Sequence, residues 1–171
     1  MDALIPLYRQ MAEAGDNFQG LSILQHADAI GKLLRSNRAR TVLDYGSGRG
    51  DAYSSPHKVY RQWGLARKDV TLYDPAFKGH DKLPARRFDA VVCSDVLEHI
   101  PEEDTERFVG DLFNHAKRVV WASVCCRPAK KTFPSGMNLH VTVCPLQWWQ
   151  DTFADVALLF PGIEWHLVET P

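Results

Sequence analysis

The stretch Asp44-Tyr45-Gly46-Ser47-Gly48-Arg49-Gly50 concentrates residues that can hold a ligand. Glycines permit a tight turn and let backbone N–H groups approach a ligand closely. A helix starting just beyond such a loop would favour an anionic group. Taken alone, the loop fits a structural turn or a nicotinamide-cofactor site. Two details shift the balance. Glycine stands at every second position here, whereas the dinucleotide fingerprint spaces its last two glycines by two residues. An acid, Asp44, lies two positions before the first glycine. A carboxylate there repels a pyrophosphate and attracts an ammonium group.

Further candidates follow along the chain. Asp74, in Val-Thr-Leu-Tyr-Asp-Pro, can accept hydrogen bonds from two ribose hydroxyls. It reads equally as a turn residue before Pro75. Ser94 to Ile100, Ser-Asp-Val-Leu-Glu-His-Ile, closes a third apolar run. His140, in Asn138-Leu139-His140, suits a general base, and equally a histidine bonded to backbone in a turn. Trp148 and Trp149 can line an aromatic pocket, but adjacent helical residues point different ways, so one or both belong in the core. Trp121 is expected there as well. The basic run Arg127, Lys130 and Lys131 reads as a solvated loop.

These residues need elements to position them. Residues 1–36 read as an N-terminal helical region packed on the core, with an amphipathic helix over 21–35. Strands are predicted over 41–45, 70–73, 88–93, 118–126 and 163–169, with a short extended piece at 140–143. Helices are predicted from a Ser55-Pro56 start to Trp63, over 102–116, and from Pro145 to Ala157. Strands alternating with helices imply right-handed βαβ units and a mostly parallel sheet. The expectation is one doubly wound, Rossmann-like α/β domain over 1–171.

The stretches TVLDYGSGRG, VTLYDP and FDAVVCSDVLEHI together resemble the class I S-adenosylmethionine-dependent methyltransferases, particularly their small-molecule branch, and NLHVTVCPLQWW resembles a late turn of that branch. The resemblance spans roughly 18–169. S-adenosylmethionine carries both an ammonium and a sulfonium, in keeping with Asp44. The resemblance implies that Asp44, Tyr45, Gly46, Ser47 and Gly48 hold the amino-acid end of this cofactor. It implies Asp74 on the ribose, Pro75 and Ala76 beside the adenine, and Asp81 at the adenine amino group. Ser94, Asp95 and Val96 would lie under the methionine and sulfonium, with Leu97 packing and His99 at the mouth of the site. His140 and His99 are the candidate catalytic residues. Asp51 to Ser55 interrupt the family pattern after the glycine loop. The short span between Asp74 and Phe88 predicts a shortened or missing family strand, and the family's last strand is also expected to be missing.

Composition sets the outer limits. A net charge of −1 argues against a nucleic-acid partner, which needs clustered cations. No apolar run approaches the roughly 20 residues needed to span a bilayer. Cys93, Cys125, Cys126 and Cys144 lack metal-site spacing, and free thiols place the protein in the cytoplasm. The reading is S-adenosylmethionine-dependent methyl transfer to a small-molecule acceptor. The alternatives are a non-catalytic cofactor-binding subunit and a lyase or hydrolase acting on the cofactor.

Overall fold

Nearly unbroken apolar runs form strands that are buried on both faces of a sheet. The computed structural model, which describes residues 3–15 and 18–170, contains five strands, all but the last of them mostly buried. They are β1 (Val42–Tyr45), β2 (Val70–Tyr73), β3 (Phe88–Ser94), β4 (Ala116–Val124) and β5 (Glu164–Glu169). All neighbours run parallel, in the order β2-β1-β3-β4-β5. The helices are α1 (Ile5–Glu13), α2 (Ala27–Ser36), α3 (Thr105–His115) and α4 (Leu146–Ala157).

Strand side chains alternate between faces, and the core divides accordingly. Leu43, Val91, Cys93, Val120 and Ala122 pack against Phe108, Leu112 and Phe113 of α3 and Trp149 and Phe153 of α4. Val42, Ala90, Val92, Val119 and Trp121 point the other way, onto Ile30 and Leu34 of α2. The apolar stripe of α2 recurs at spacings of three and four, as a helix covering a sheet requires. The fold is therefore a shortened Rossmann-like sheet with helices on both faces. Among the described residues, no helix is long and apolar enough to cross a membrane.

Several expectations need correction. The helix expected from Pro56 to Trp63 does not form. Lys58 sits at φ 47°, in the left-handed region, which breaks a right-handed helix, and only a single 3-10 turn follows at Val59–Arg61. Trp63 holds this irregular stretch in place. Its indole N–H donates to the Ala27 carbonyl at 3.1 Å, and its ring is buried. The helix expected over 21–35 is broken into a 3-10 turn, Ser22–His26, and α2. The piece at 140–143 is not a strand. Thr142 is tied to the loop beyond β3 instead, its hydroxyl donating to the Ile100 carbonyl at 2.7 Å and its N–H to the Glu98 carbonyl at 3.1 Å.

Among the described residues, no strand lies between β2 and β3, so β2 is an edge of the sheet. Trp149 is fully buried and Trp148 half-buried, as adjacent helical positions require. The four cysteines are free, but only Cys93 is buried.

Trp63→Ala should destabilise the protein by about 3–5 kcal/mol, the usual cost of emptying a large aromatic site. Trp63→Phe should cost less, since it keeps most of the packing and loses one hydrogen bond worth about 1 kcal/mol. Urea unfolding of both variants measures the difference. Equal losses would mean that packing contributes little.

Candidate functional site

In an open parallel sheet, ligands sit beyond the carboxyl ends of the strands where the strand order reverses. Here the chain reverses between β1 and β3. A cavity of about 390 Å³ opens there. Gly46, Gly48, Asp74, Ala76, Asp95 and Val96 form part of its wall.

Close backbone approach shapes this wall. The N–H groups of Gly46 and Ser47 both donate to the Tyr73 carbonyl, at 2.7 and 3.0 Å, which turns the loop across β2. Segment 18–20 then crosses the loop from outside. Arg49 donates to the Phe18 carbonyl at 2.9 Å, and Asp51 to the Gln19 carbonyl at 3.0 Å. The crossing leaves no room for side chains. A Cβ on Gly48 would lie 2.3 Å from the Phe18 carbonyl oxygen, and one on Gly20 would lie 2.1 Å from that of Ser47.

Asp74 joins the loops after β1 and β2. One carboxylate oxygen accepts from Gly48 N–H and the other from Ala76 N–H, each at 2.8 Å. Burial raises its pKa, against the pull of those two N–H groups. A carboxylate has about four lone-pair sites, so two remain for a ligand. Asp95 lies across the cavity with φ 55°. Its carboxylate accepts from the hydroxyls of Ser123, at 2.8 Å, and Thr170. Ser94 is buried and bonds the hydroxyls of Ser22 and Ser123, each at 3.1 Å.

The structure brings Tyr45, Gly46, Gly48, Asp74, Pro75, Ala76, Ser94, Asp95, Val96 and His99 to this cavity. Asp44, Ser47 and Asp81 do not line it. Asp44 points from β1 toward the α2 face and is buried. Burial raises its pKa to about 7, opposed by the Tyr53 hydroxyl and reinforced by the negative charge of Asp74. Asp81 is an exposed turn residue, its carboxylate accepting from Gly79 N–H at 3.2 Å.

A second cavity of about 410 Å³ adjoins the first, and Phe18, His99 and Lys131 border both. Its far wall includes Arg127, Lys130, Leu139 and His140. The basic run expected as a solvated loop thus flanks a cavity. His99 Nδ1 lies 2.9 Å from the Leu139 carbonyl oxygen, and His140 Nδ1 is bonded to the Arg127 carbonyl oxygen. A carbonyl only accepts, so each Nδ1 carries the hydrogen. In the neutral ring, Nε2 is then the free acceptor. Burial lowers the His99 pKa to about 4, which keeps it neutral. Beside them Glu98 is almost wholly buried, and burial followed by the charge of Asp95 raises its pKa to about 8.

Sequence reasoning assigned no role to several residues here. Tyr8 of α1 donates to the Leu139 carbonyl at 2.9 Å, and Arg9 donates to the Pro75 carbonyl at 2.7 Å, which lays α1 over the cavity. No pattern in the sequence marks these contacts. Glu98 did carry a signal, since it stands next to His99 in Ser-Asp-Val-Leu-Glu-His-Ile.

A profile of the methyltransferase domain family matches residues 21–139. The chain belongs to this family, which is one of the class I S-adenosylmethionine-dependent methyltransferases. No curated protein and no solved structure matches the chain.

A carboxyl whose pKa is raised on folding favours the folded state at low pH and disfavours it as pH rises. For Asp44 the window runs from 3.8 to about 7, so stability should fall across it. Asp44→Asn should flatten that fall and melt several degrees above wild type at pH 8, with little difference at pH 4. Thermal melts across pH measure this. An equal effect at both ends would mean that the Asp44 charge carries no such cost.

Proposed function

We propose that the chain transfers the methyl group of S-adenosylmethionine to a small-molecule acceptor, with the cofactor in the first cavity and the acceptor in the second. The observation that carries this reading is the first cavity itself, which lies at the strand-order switch between Asp74 and Asp95. Its volume, about 390 Å³, falls in the range of about 300–1,000 Å³ usual for small-molecule sites.

The residues present fit the cofactor. Asp74 keeps two acceptor sites for the ribose hydroxyls, while Pro75, Ala76 and Phe77 offer a partly apolar wall to the adenine. Gly46 turns beneath the amino-acid end, where a Cβ would collide with Val96 at 2.3 Å. Asp95 faces the same space with a carboxylate, which favours a cationic group. Asp44, behind the loop, acts on that end through its field and makes no contact. Ser94 fixes the floor through its buried hydroxyl bonds.

When bound, the cofactor supplies a methyl group activated on a sulfonium, so the protein's main task is to align an acceptor with it. His99 and His140 form the acceptor side of that arrangement. The open second cavity supports catalysis over a binding-only subunit, because a subunit without an acceptor would have no need of it. The space beside His140, about 410 Å³, has room for a small acceptor.

Asp74→Ala should weaken S-adenosylhomocysteine binding at least tenfold, because hydrogen bonds to a charged group contribute about 1.5–3 kcal/mol each and about 1.4 kcal/mol is one decade. Calorimetric titration of wild type and variant measures it, with NAD as the control ligand. Unchanged affinity in a variant that melts normally would reduce Asp74 to a turn residue, and preferential binding of NAD would overturn the cofactor assignment.

A further inference from the structure

Glu98, His99 and His140 come together from the loop after β3 and the segment before α4, and their ligand atoms all lie within 4.8 Å of one another. Two features set this group apart from an ordinary polar contact. The first is the histidines. Each donates its Nδ1–H to a backbone carbonyl, His99 to Leu139 and His140 to Arg127, which fixes the ring and leaves Nε2 as the donor atom. Histidines that bind a metal are oriented in this way, by a hydrogen bond from the other ring nitrogen.

The second is the carboxylate. Glu98 is 1% exposed. Its Oε1 accepts from Cys125 N–H at 3.2 Å, but Oε2 is buried with no hydrogen-bond partner among the described residues. An unsatisfied buried carboxylate oxygen is costly and calls for a partner. His140 Nε2 lies 4.0 Å from Oε1, too far for a hydrogen bond and close enough for both to reach one ion.

We propose that Glu98, His99 and His140 bind a divalent transition cation of the zinc type at the border of the second cavity. Two imidazoles and one carboxylate are a donor set suited to such ions, and three protein ligands leave coordination open for an exogenous group. Bonds of about 2.0–2.1 Å place tetrahedral donor atoms about 3.4 Å apart, so small side-chain rotations close the observed group onto an ion. His99 and His140 both border the second cavity, so its occupant reaches the open coordination. On the proposed methyl-transfer reading, on which this part alone rests, the acceptor is held through an oxygen donor.

The test uses the full chain, stripped of metal with a chelator and titrated with Co²⁺ alone. The expected result is uptake of one equivalent with the visible absorption bands of a low-coordinate site, displaced by Zn²⁺. Glu98→Gln and His140→Asn should each weaken uptake at least tenfold. Neither Glu98 nor His140 lines the first cavity, so S-adenosylhomocysteine titration of each protein reports that it is folded. No uptake by wild type, or uptake undiminished in both variants because the cysteines hold the ion, would overturn the site. Uptake that depends on Glu98 and His140 in a protein that does not bind S-adenosylhomocysteine would sustain the metal site and remove the cofactor reading.

Discussion

Two backbones cross at contact distance over the glycine loop, and the rest of the site depends on that crossing. Phe18 to Gly20 and Ser47 to Asp51 bond to each other through main-chain groups, with Gly20 and Gly48 pressed against opposing carbonyls. The crossing settles where the N-terminal segment lies. It places Phe18 between the two cavities and brings α1 over the first, where Tyr8 reaches Leu139 and Arg9 reaches Pro75. A side chain at either glycine would separate the strands of this crossing and open the roof. The glycines therefore serve chain against chain as much as chain against ligand.

Acids also accumulate beneath that roof. Asp44 lies one residue before the end of β1, Asp74 follows β2, and Asp95 and Glu98 follow β3. All four act on the buried thiol of Cys93, whose pKa is raised first by burial and then by their charges. Burying like charges together is unfavourable unless cations or donors compensate. The protein gives Asp74 two backbone N–H donors and Asp95 two hydroxyls. Burial still raises the pKa of Asp74, and raises those of Asp44 and Glu98 to about 7 and about 8. A cofactor bearing an ammonium and a sulfonium meets this field favourably, and a pyrophosphate does not.

Much of this was legible in the chain, for physical reasons that can be named. Nearly continuous apolar runs such as Phe88 to Cys93, interrupted only by Asp89, specify buried parallel strands without any tertiary information. Glycine spacing and the acids at strand ends pointed to Asp44 and Asp74, of which only Asp74 lines the cavity, and the family resemblance pointed to Asp95, which also lines it. The failures were local. Ser55-Pro56 looked like a helix start, yet Lys58 turns left-handed and Trp63 buries itself against α2. Tertiary packing outweighed a weak local signal there. Tyr8 owes its place over the cavity to its bond with the Leu139 carbonyl, which no spacing within its own segment encodes, whereas Glu98 stands beside His99 in the sequence and only its approach to His140 is long-range.

The most direct measurement is a crystal structure of the protein with S-adenosylhomocysteine. The account predicts the ligand across the carboxyl ends of β1, β2 and β3, its ribose hydroxyls on the Asp74 carboxylate and its sulfur directed toward the second cavity beside His99. A ligand bound elsewhere, or lying in this cavity with its ribose away from Asp74, would contradict it.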